Sequence, residues 1–234
     1  MPDHQPSLGA PHRASIVRDG LAVGLATGAY GISFGAVSVA AGLDVVQTCV
    51  LSLLVFTGAS QFALVGVVAS GGAPMSGALT GLLLGSRNTL YGLRLAPLLA
   101  YRGRRRVGAA HLLIDESTAM AVNRDSTAAA RVGFLSTGLA VFVFWNLATL
   151  GGALAGTTLG DPRTYGLDAA VGGAFLALLW PRLDTVLNRV VGVLAVALAL
   201  GLVPFTTAGV PVLSAAAVAL LAGVLSGIPA RQRP

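Results

Sequence analysis

The residues with the most chemical capacity in this chain lie where water is scarce. Val55-Phe56-Thr57-Gly58-Ala59-Ser60-Gln61-Phe62 sets a hydroxyl, a glycine, a second hydroxyl and a primary amide almost side by side. The octet sits in a run without a charged residue from Val45 to Ser86, roughly twice the ~20 residues that one helix needs to cross a bilayer. Hydrocarbon cannot satisfy these groups, so they must face protein or a polar cavity. For Gly58 and Ser60 a plainer reading stays open, since small residues let membrane helices pack closely. Gln61 is harder to absorb in that way, because its amide brings two donors and a carbonyl that all need partners.

Two further groups carry charge or hydrogen-bonding capacity. Ser86-Arg87-Asn88-Thr89-Leu90-Tyr91-Gly92 ends the uncharged run. Arg87 and Arg94 share a helical face; Arg94 can snorkel to the interface, but Arg87 is deeper and needs a carboxylate or a cage of carbonyls. Asp115-Glu116 are the only adjacent carboxylates. Neighbouring acids repel, which favours a proton on one of them; the alternative is a solvated helix face that offsets nearby arginines. His111, four residues before Asp115, supplies with it and Glu116 the minimum for a metal site, and so keeps open an intramembrane metal-dependent enzyme. Two of the three histidines, His4 and His12, fall in the N-terminal tail, which leaves no convincing Ser/His/Asp arrangement. Cys49 is the only cysteine, so no internal disulfide can form.

The elements that must position these residues are apolar helices. The chain has 234 residues, 55% of them hydrophobic, and 10% charged, against about 25% charged in a soluble domain. Its mean hydropathy is +0.80. This is the composition of an all-α polytopic membrane protein. The net charge is +6 and every basic residue is Arg, but the arginines cluster between apolar runs, which points to membrane topology rather than nucleic acid.

Residues 1–19 read as a disordered polar tail, 20–230 as one transmembrane transport domain, and 231–234 as a tail. Within the domain, 101–131 reads as a cytoplasmic basic loop with a short amphipathic helix around His111 to Met120. About seven spans are expected, with six plus a re-entrant segment as the variant. The first, Gly20 to Leu43, carries Gly20, Gly24, Gly28, Gly31 and Gly35 on one face, a stripe for backbone-close packing; unwinding at Tyr30 to Gly35 is the rival reading. The second covers Val46 to Ala69, the third Met75 to Leu99, the fourth the uncharged run Val132 to Gly160, and the fifth Leu167 to Trp180. Pro204, Gly209 and Pro211 divide the last run into two. With the C-terminus in the cytoplasm, the outer side holds only Arg13, Arg18 and Arg163, and the N-terminus falls outside; a re-entrant early segment would move it inside. Gly58-Ala59 and Gly173-Ala174 form a faint echo that would fit an inverted three-plus-three repeat.

The chain resembles the AzlC family, the large subunit of branched-chain amino acid exporters. The likeness rests on Phe-Thr-Gly-Ala-Ser-Gln-Phe at 56–62, Arg87 with Leu90-Tyr91-Gly92, Asp115-Glu116 after the basic loop, the span around Trp145 to Gly156, and the acid-led span from Asp168 to Leu179. It departs from the family at Asn88, where an Arg-His pair is common, and at Gly31, where a proline is common. The resemblance implies export of branched-chain or similar neutral amino acids across the plasma membrane, a small hydrophobic AzlD-type partner, and no cofactor. On that reading Arg87 could meet a substrate carboxylate, Gly58, Ser60, Gln61, Asn88 and Tyr91 could complete the binding site, and Asp115 or Glu116 could exchange a proton. A non-transporting scaffold subunit is the remaining alternative.

Overall fold

The computed structural model describes residues 9–122, 124–159, 183–206 and 210–225, with Leu176 and Trp180. The helices in this part are α1 (Ala10–Gly28), α2 (Gly31–Ala40), α3 (Val45–Leu54), α4 (Ala59–Ala69), α5 (Pro74–Gly85), α6 (Arg87–Leu99), α7 (Arg104–His111), α8 (Asp115–Val122), α9 (Thr127–Leu159), α10 (Val186–Leu202) and α11 (Val210–Leu225). No strand occurs among the described residues. Local chemistry sets several of the ends. The Asp44 carboxylate accepts the Gln47 N–H at 2.7 Å while the Gln47 side chain accepts the Asp44 N–H at 3.0 Å, a reciprocal cap that starts α3. Pro74 opens α5, where its missing N–H costs nothing.

The helix α9 is the mast of the bundle. It has 33 residues, about 50 Å at 1.5 Å per residue. The glycine stripe lies directly against it. A Cβ on Gly20 would stand 2.6 Å from Ser136 Oγ, and one on Gly28, Gly31 or Gly35 would overlap Phe144 Cβ, the Trp145 carbonyl or the Thr149 carbonyl. Gly152 and Gly156 answer from α9, facing Ile32 and Ala36. The stripe is thus a packing device. The first span is also interrupted: Tyr30 N–H donates to Thr27 O and Ile32 N–H to Ala29 O, a tightened i→i−3 turn between α1 and α2 that needs no proline. The first span therefore packs by its stripe and tightens at Ala29 and Tyr30, while the unwinding expected as the rival over Tyr30 to Gly35 does not occur, since Gly31–Ala40 is helical.

The contacts fix directions. Ile16 meets Gly133, and Ala36 meets Gly156, so α1 and α2 run parallel to α9. Arg131 Nε donates to Leu99 O at 2.8 Å, which places the end of α6 beside the start of α9. Ser52 Oγ lies 3.4 Å from Thr149 Oγ1, so α3 starts at the opposite end, and Gly58 reaches only Trp145, midway. The helices α4 and α5 are antiparallel, with Ser60 against Gly81 and Leu64 against Gly77. Ser86 between α5 and α6 keeps helical angles, so α6 continues the course of α5 with a bend. The chain thus turns back at Val55–Gly58: α3 and α4 form a re-entrant hairpin from one end. From the other end α7 and α8 do the same, since Leu112 and Ser117 face Gly138 while Met120 faces Gly133.

Of the two arrangements expected, this fits the variant with a re-entrant early segment: the second span is two half-helices, because the octet itself supplies the break, and the N-terminal end of α1 lies at the arginine-bearing end with Leu99. One expectation is corrected: residues 10–19 belong to α1 despite their polarity. Two helical stretches, Ala10–Ala40 and Thr127–Thr158, are long and apolar enough to cross a membrane, with shorter apolar helices at Val45–Leu54, Ala59–Ala69, Val186–Leu202 and Leu213–Gly223. The Leu167–Trp180 span, apart from Leu176 and Trp180, and the Gly173-Ala174 echo lie outside the described residues.

Candidate functional site

Four helix interruptions open onto one cavity of about 190 Å³. Thr27 and Tyr30 come from the α1–α2 break, Phe56, Thr57, Gly58, Ala59 and Phe62 from the first hairpin tip and the start of α4, Arg87 from the start of α6, and Ile114, Asp115 and Glu116 from the second tip. Val141 and Trp145 of α9 complete the wall. These two lie 10 and 14 residues beyond Arg131, about 15–21 Å along the axis. The cavity therefore sits near the middle of α9. Its size is below the ~300–1,000 Å³ of pockets for drug-sized ligands and suits a small solute.

Each tip is held by a specific bond. Gly58 has φ +60°, a conformation that costs other residues strain, and its N–H donates to Gln61 Oε1 at 3.1 Å. The first-turn amides of α4 have no intrahelical acceptor, so this helix presents a positive end at the cavity. In the second tip, Ser117 Oγ donates to Leu112 O at 2.7 Å and accepts from Ile114 N at 3.1 Å, and Asn88 Nδ2 donates to Leu113 O at 3.1 Å. Arg87 Nη2 pairs with Asp115 Oδ2 at 2.8 Å. The aromatic floor is built from Phe34, Phe62 and Trp145, with Phe34 stacked on Trp145 at 6.1 Å and Phe62 edge-on to both.

The cavity is incompletely satisfied. Among the described residues, the buried atoms Thr57 Oγ1, Arg87 Nε, Asp115 Oδ1 and Trp145 Nε1 have no hydrogen-bond partner, and all four residues line it. Buried polar groups without partners are rare and costly. Six more such atoms, on Thr48, Gln61, Asn88, Thr118, Thr137 and Asn146, lie away from the cavity; the four at it are two N–H donors, a hydroxyl and a carboxylate oxygen, beside the apolar side chains of Phe56, Phe62, Ile114 and Val141. That set matches a small molecule with a negative group, a positive group and an apolar body.

The expected site residues divide. Gly58, Arg87, Asp115 and Glu116 line the cavity. Ser60 and Gln61 are buried behind it, Ser60 against Gly81 and Gly85, and Gln61 bonded to the hairpin tip. Asn88 turns to Leu113 and to a second groove, and Tyr91 lines neither space. Asp115 and Glu116 stand at the inner tip of a re-entrant hairpin, not on a solvated interfacial helix, because Arg87 and α9 draw that tip inward. Thr27, Tyr30, Thr57, Ile114, Val141 and Trp145 were not among the expected site residues; the break at Tyr30 and the polar Trp145 at mid-span were the signals available. His111 stands against the rings of Phe56 and Phe142, and no group of three His, Cys, Asp or Glu that could hold a metal occurs among the described residues.

The bond from Gln61 makes a measurable claim. Gln61→Leu leaves the Gly58 N–H without its acceptor and should lower stability by about 1–3 kcal/mol, read as a fall in the unfolding temperature of detergent-purified protein. Unchanged melting would show that the tip does not depend on Gln61.

Comparison with known proteins gives one finding. The family model described as AzlC protein matches residues 22–159. That segment holds both hairpins, the cavity and all but the last of the places on which the resemblance rests. No curated protein and no solved structure matches the chain.

Proposed function

The chain belongs to the AzlC family of membrane transport proteins, and from that premise we propose that it exports a small neutral amino acid with an aliphatic side chain, of the branched-chain kind, across the plasma membrane. The observation that carries the reading is the set of four unpartnered polar atoms lining an apolar cavity midway along α9. The substrate carboxylate meets the α4 N-terminus, Arg87 Nε and Trp145 Nε1, where a helix end and two N–H groups favour an anion. The ammonium meets Asp115 Oδ1, with Glu116 beside it. The aliphatic chain lies among Phe56, Phe62, Ile114 and Val141. Two hairpins entering from opposite ends give each side of the membrane its own barrier, and moving one at a time yields alternating access.

The arginine-bearing end is cytoplasmic on this reading, which puts the start of α1 and the α6–α9 connection on that side. The C-terminus shares it in a multi-pass arrangement. Asp115 or Glu116 exchanges a proton as substrate leaves, coupling export to the proton gradient, and a small hydrophobic AzlD-type subunit completes the exporter.

Counterflow of labelled leucine in vesicles tests the assignment. Unlabelled isoleucine and valine should compete. Isoamylamine lacks the carboxylate and 4-methylvalerate lacks the ammonium. A hydrogen bond to a charged group is worth about 1.5–3 kcal/mol, so each should compete roughly 10- to 150-fold less well. An amine that competes as well as leucine would refute the two-ended site.

A further inference from the structure

A second space lies between α6 and α7, over Phe134 of α9, with a volume of about 500 Å³. Its shape follows from sequence. Along α7, Arg106, Ala109 and Ala110 fall on one face, and along α6 Gly92 and Ala96 do, so small side chains leave a trough where two helices would otherwise close. Arg106 and Tyr101 line it at its arginine-bearing end. Arg106 is exposed, as are Arg102, Arg104 and Arg105 beside it. No carboxylate lines the groove. Leu93, which lines it, and Leu90, three residues before, are 71% and 67% exposed, a surface that only acyl chains or another apolar body would cover.

We propose that this groove binds an anionic phospholipid of the arginine-bearing leaflet, with the phosphate at Arg106 and the neighbouring arginines and one acyl chain along Gly92, Ala96, Ala109 and Ala110. Charge selects this occupant: cations at that end without a carboxylate favour a phosphate, and the apolar trough behind them favours a hydrocarbon chain. The site is separate from the substrate cavity and does not rest on its assignment. Arg131 closes one flank, bonding Leu99 O and lying 5.3 Å from the Tyr101 ring centroid.

The test is native mass spectrometry of the purified chain with phosphatidylglycerol or phosphatidylcholine of identical acyl chains. The wild type should retain phosphatidylglycerol preferentially. Arg106→Gln, an exposed substitution that spares the fold, should lower that preference about fivefold while leaving phosphatidylcholine retention unchanged. Gly92→Leu fills the trough and should lower retention of both lipids. Gly92→Ala, whose Cβ would stand 3.4 Å from Leu113 Cδ2 in ordinary contact, controls for folding. Inorganic phosphate alone should not displace the lipid. Equal retention of the two lipids by the wild type, a preference that survives Arg106→Gln, or a co-purifying polypeptide that Gly92→Leu releases would each overturn the proposal.

Discussion

Asp115→Ala should lower the stability of the folded protein by about 3 kcal/mol and abolish transport, whereas Arg87→Met combined with Asp115→Leu should recover most of the stability and none of the transport. The argument begins from the 2.8 Å pair between Arg87 Nη2 and Asp115 Oδ2. Removing one member of a buried pair leaves the other charge uncompensated, which costs about 3–5 kcal/mol. The two side chains retain 32% and 26% exposure toward the cavity, so the low end of that range applies. Replacing both by apolar groups of similar size removes the stranded charge, and such exchanges are often neutral or stabilising. Transport responds differently. The pair uses one atom of each residue and leaves Arg87 Nε and Asp115 Oδ1 without partners, and the proposed substrate needs both. Thermal unfolding in detergent and leucine counterflow on the same three preparations separate the roles. Counterflow by the double variant would reduce the pair to a structural tie and remove it from the substrate site.

How legible this was in the sequence depends on what each residue announces. The absence of charge from Val45 to Ser86 announces a membrane helix by composition alone, and the glycine spacing of the first span announces a face, because both signals are local and periodic. The octet announced polarity at depth but not its direction. Val55–Gly58 breaks the helix because Gly58 takes φ +60° and Gln61 secures its N–H, and hydropathy is blind to both. A hydropathy reading therefore counts α3 and α4 as one crossing, and only its re-entrant variant puts the start of the chain at the end where Leu99 lies. Gln61 shows the same limit at the scale of one side chain: its need for partners was visible, and its partner, the backbone three residues back, was not. The sequence says only that Arg87 needs a carboxylate or a cage of carbonyls. That Asp115 supplies it required the return of the chain through α7 and α8, a long-range contact that residue spacing does not encode. Trp145 is legible as an aromatic in an apolar span; only the convergence of four interruptions on the cavity it lines makes its indole N–H part of a site.

Gly35→Ala should be among the most damaging single-methyl additions at the described glycines, with Gly152 on the facing helix equally tight against backbone. At Gly35 a Cβ would overlap the Thr149 carbonyl and stand 2.6 Å from Ala153 N, and both are backbone atoms that cannot turn aside. The helices α2 and α9 would have to separate along the seam that holds Phe34 against Trp145. Overpacking costs about 1–3 kcal/mol where side chains can adjust, and more where they cannot; here about 3 kcal/mol or above is expected. Gly151→Ala is the matched control. It lies in α9, is exposed, and a Cβ there meets nothing within 4 Å, so the exchange should be neutral or stabilise by about 0.5–1 kcal/mol through helix propensity. Membrane yield and unfolding temperature should fall sharply for Gly35→Ala and hold for Gly151→Ala. The folded remainder should also bind leucine more weakly, since displacement of α2 moves the aromatic floor under the cavity. Equal yield and melting for the two variants would mean that α2 and α9 do not meet backbone to backbone, and the mast arrangement that sets the depth of the site would have to be redrawn.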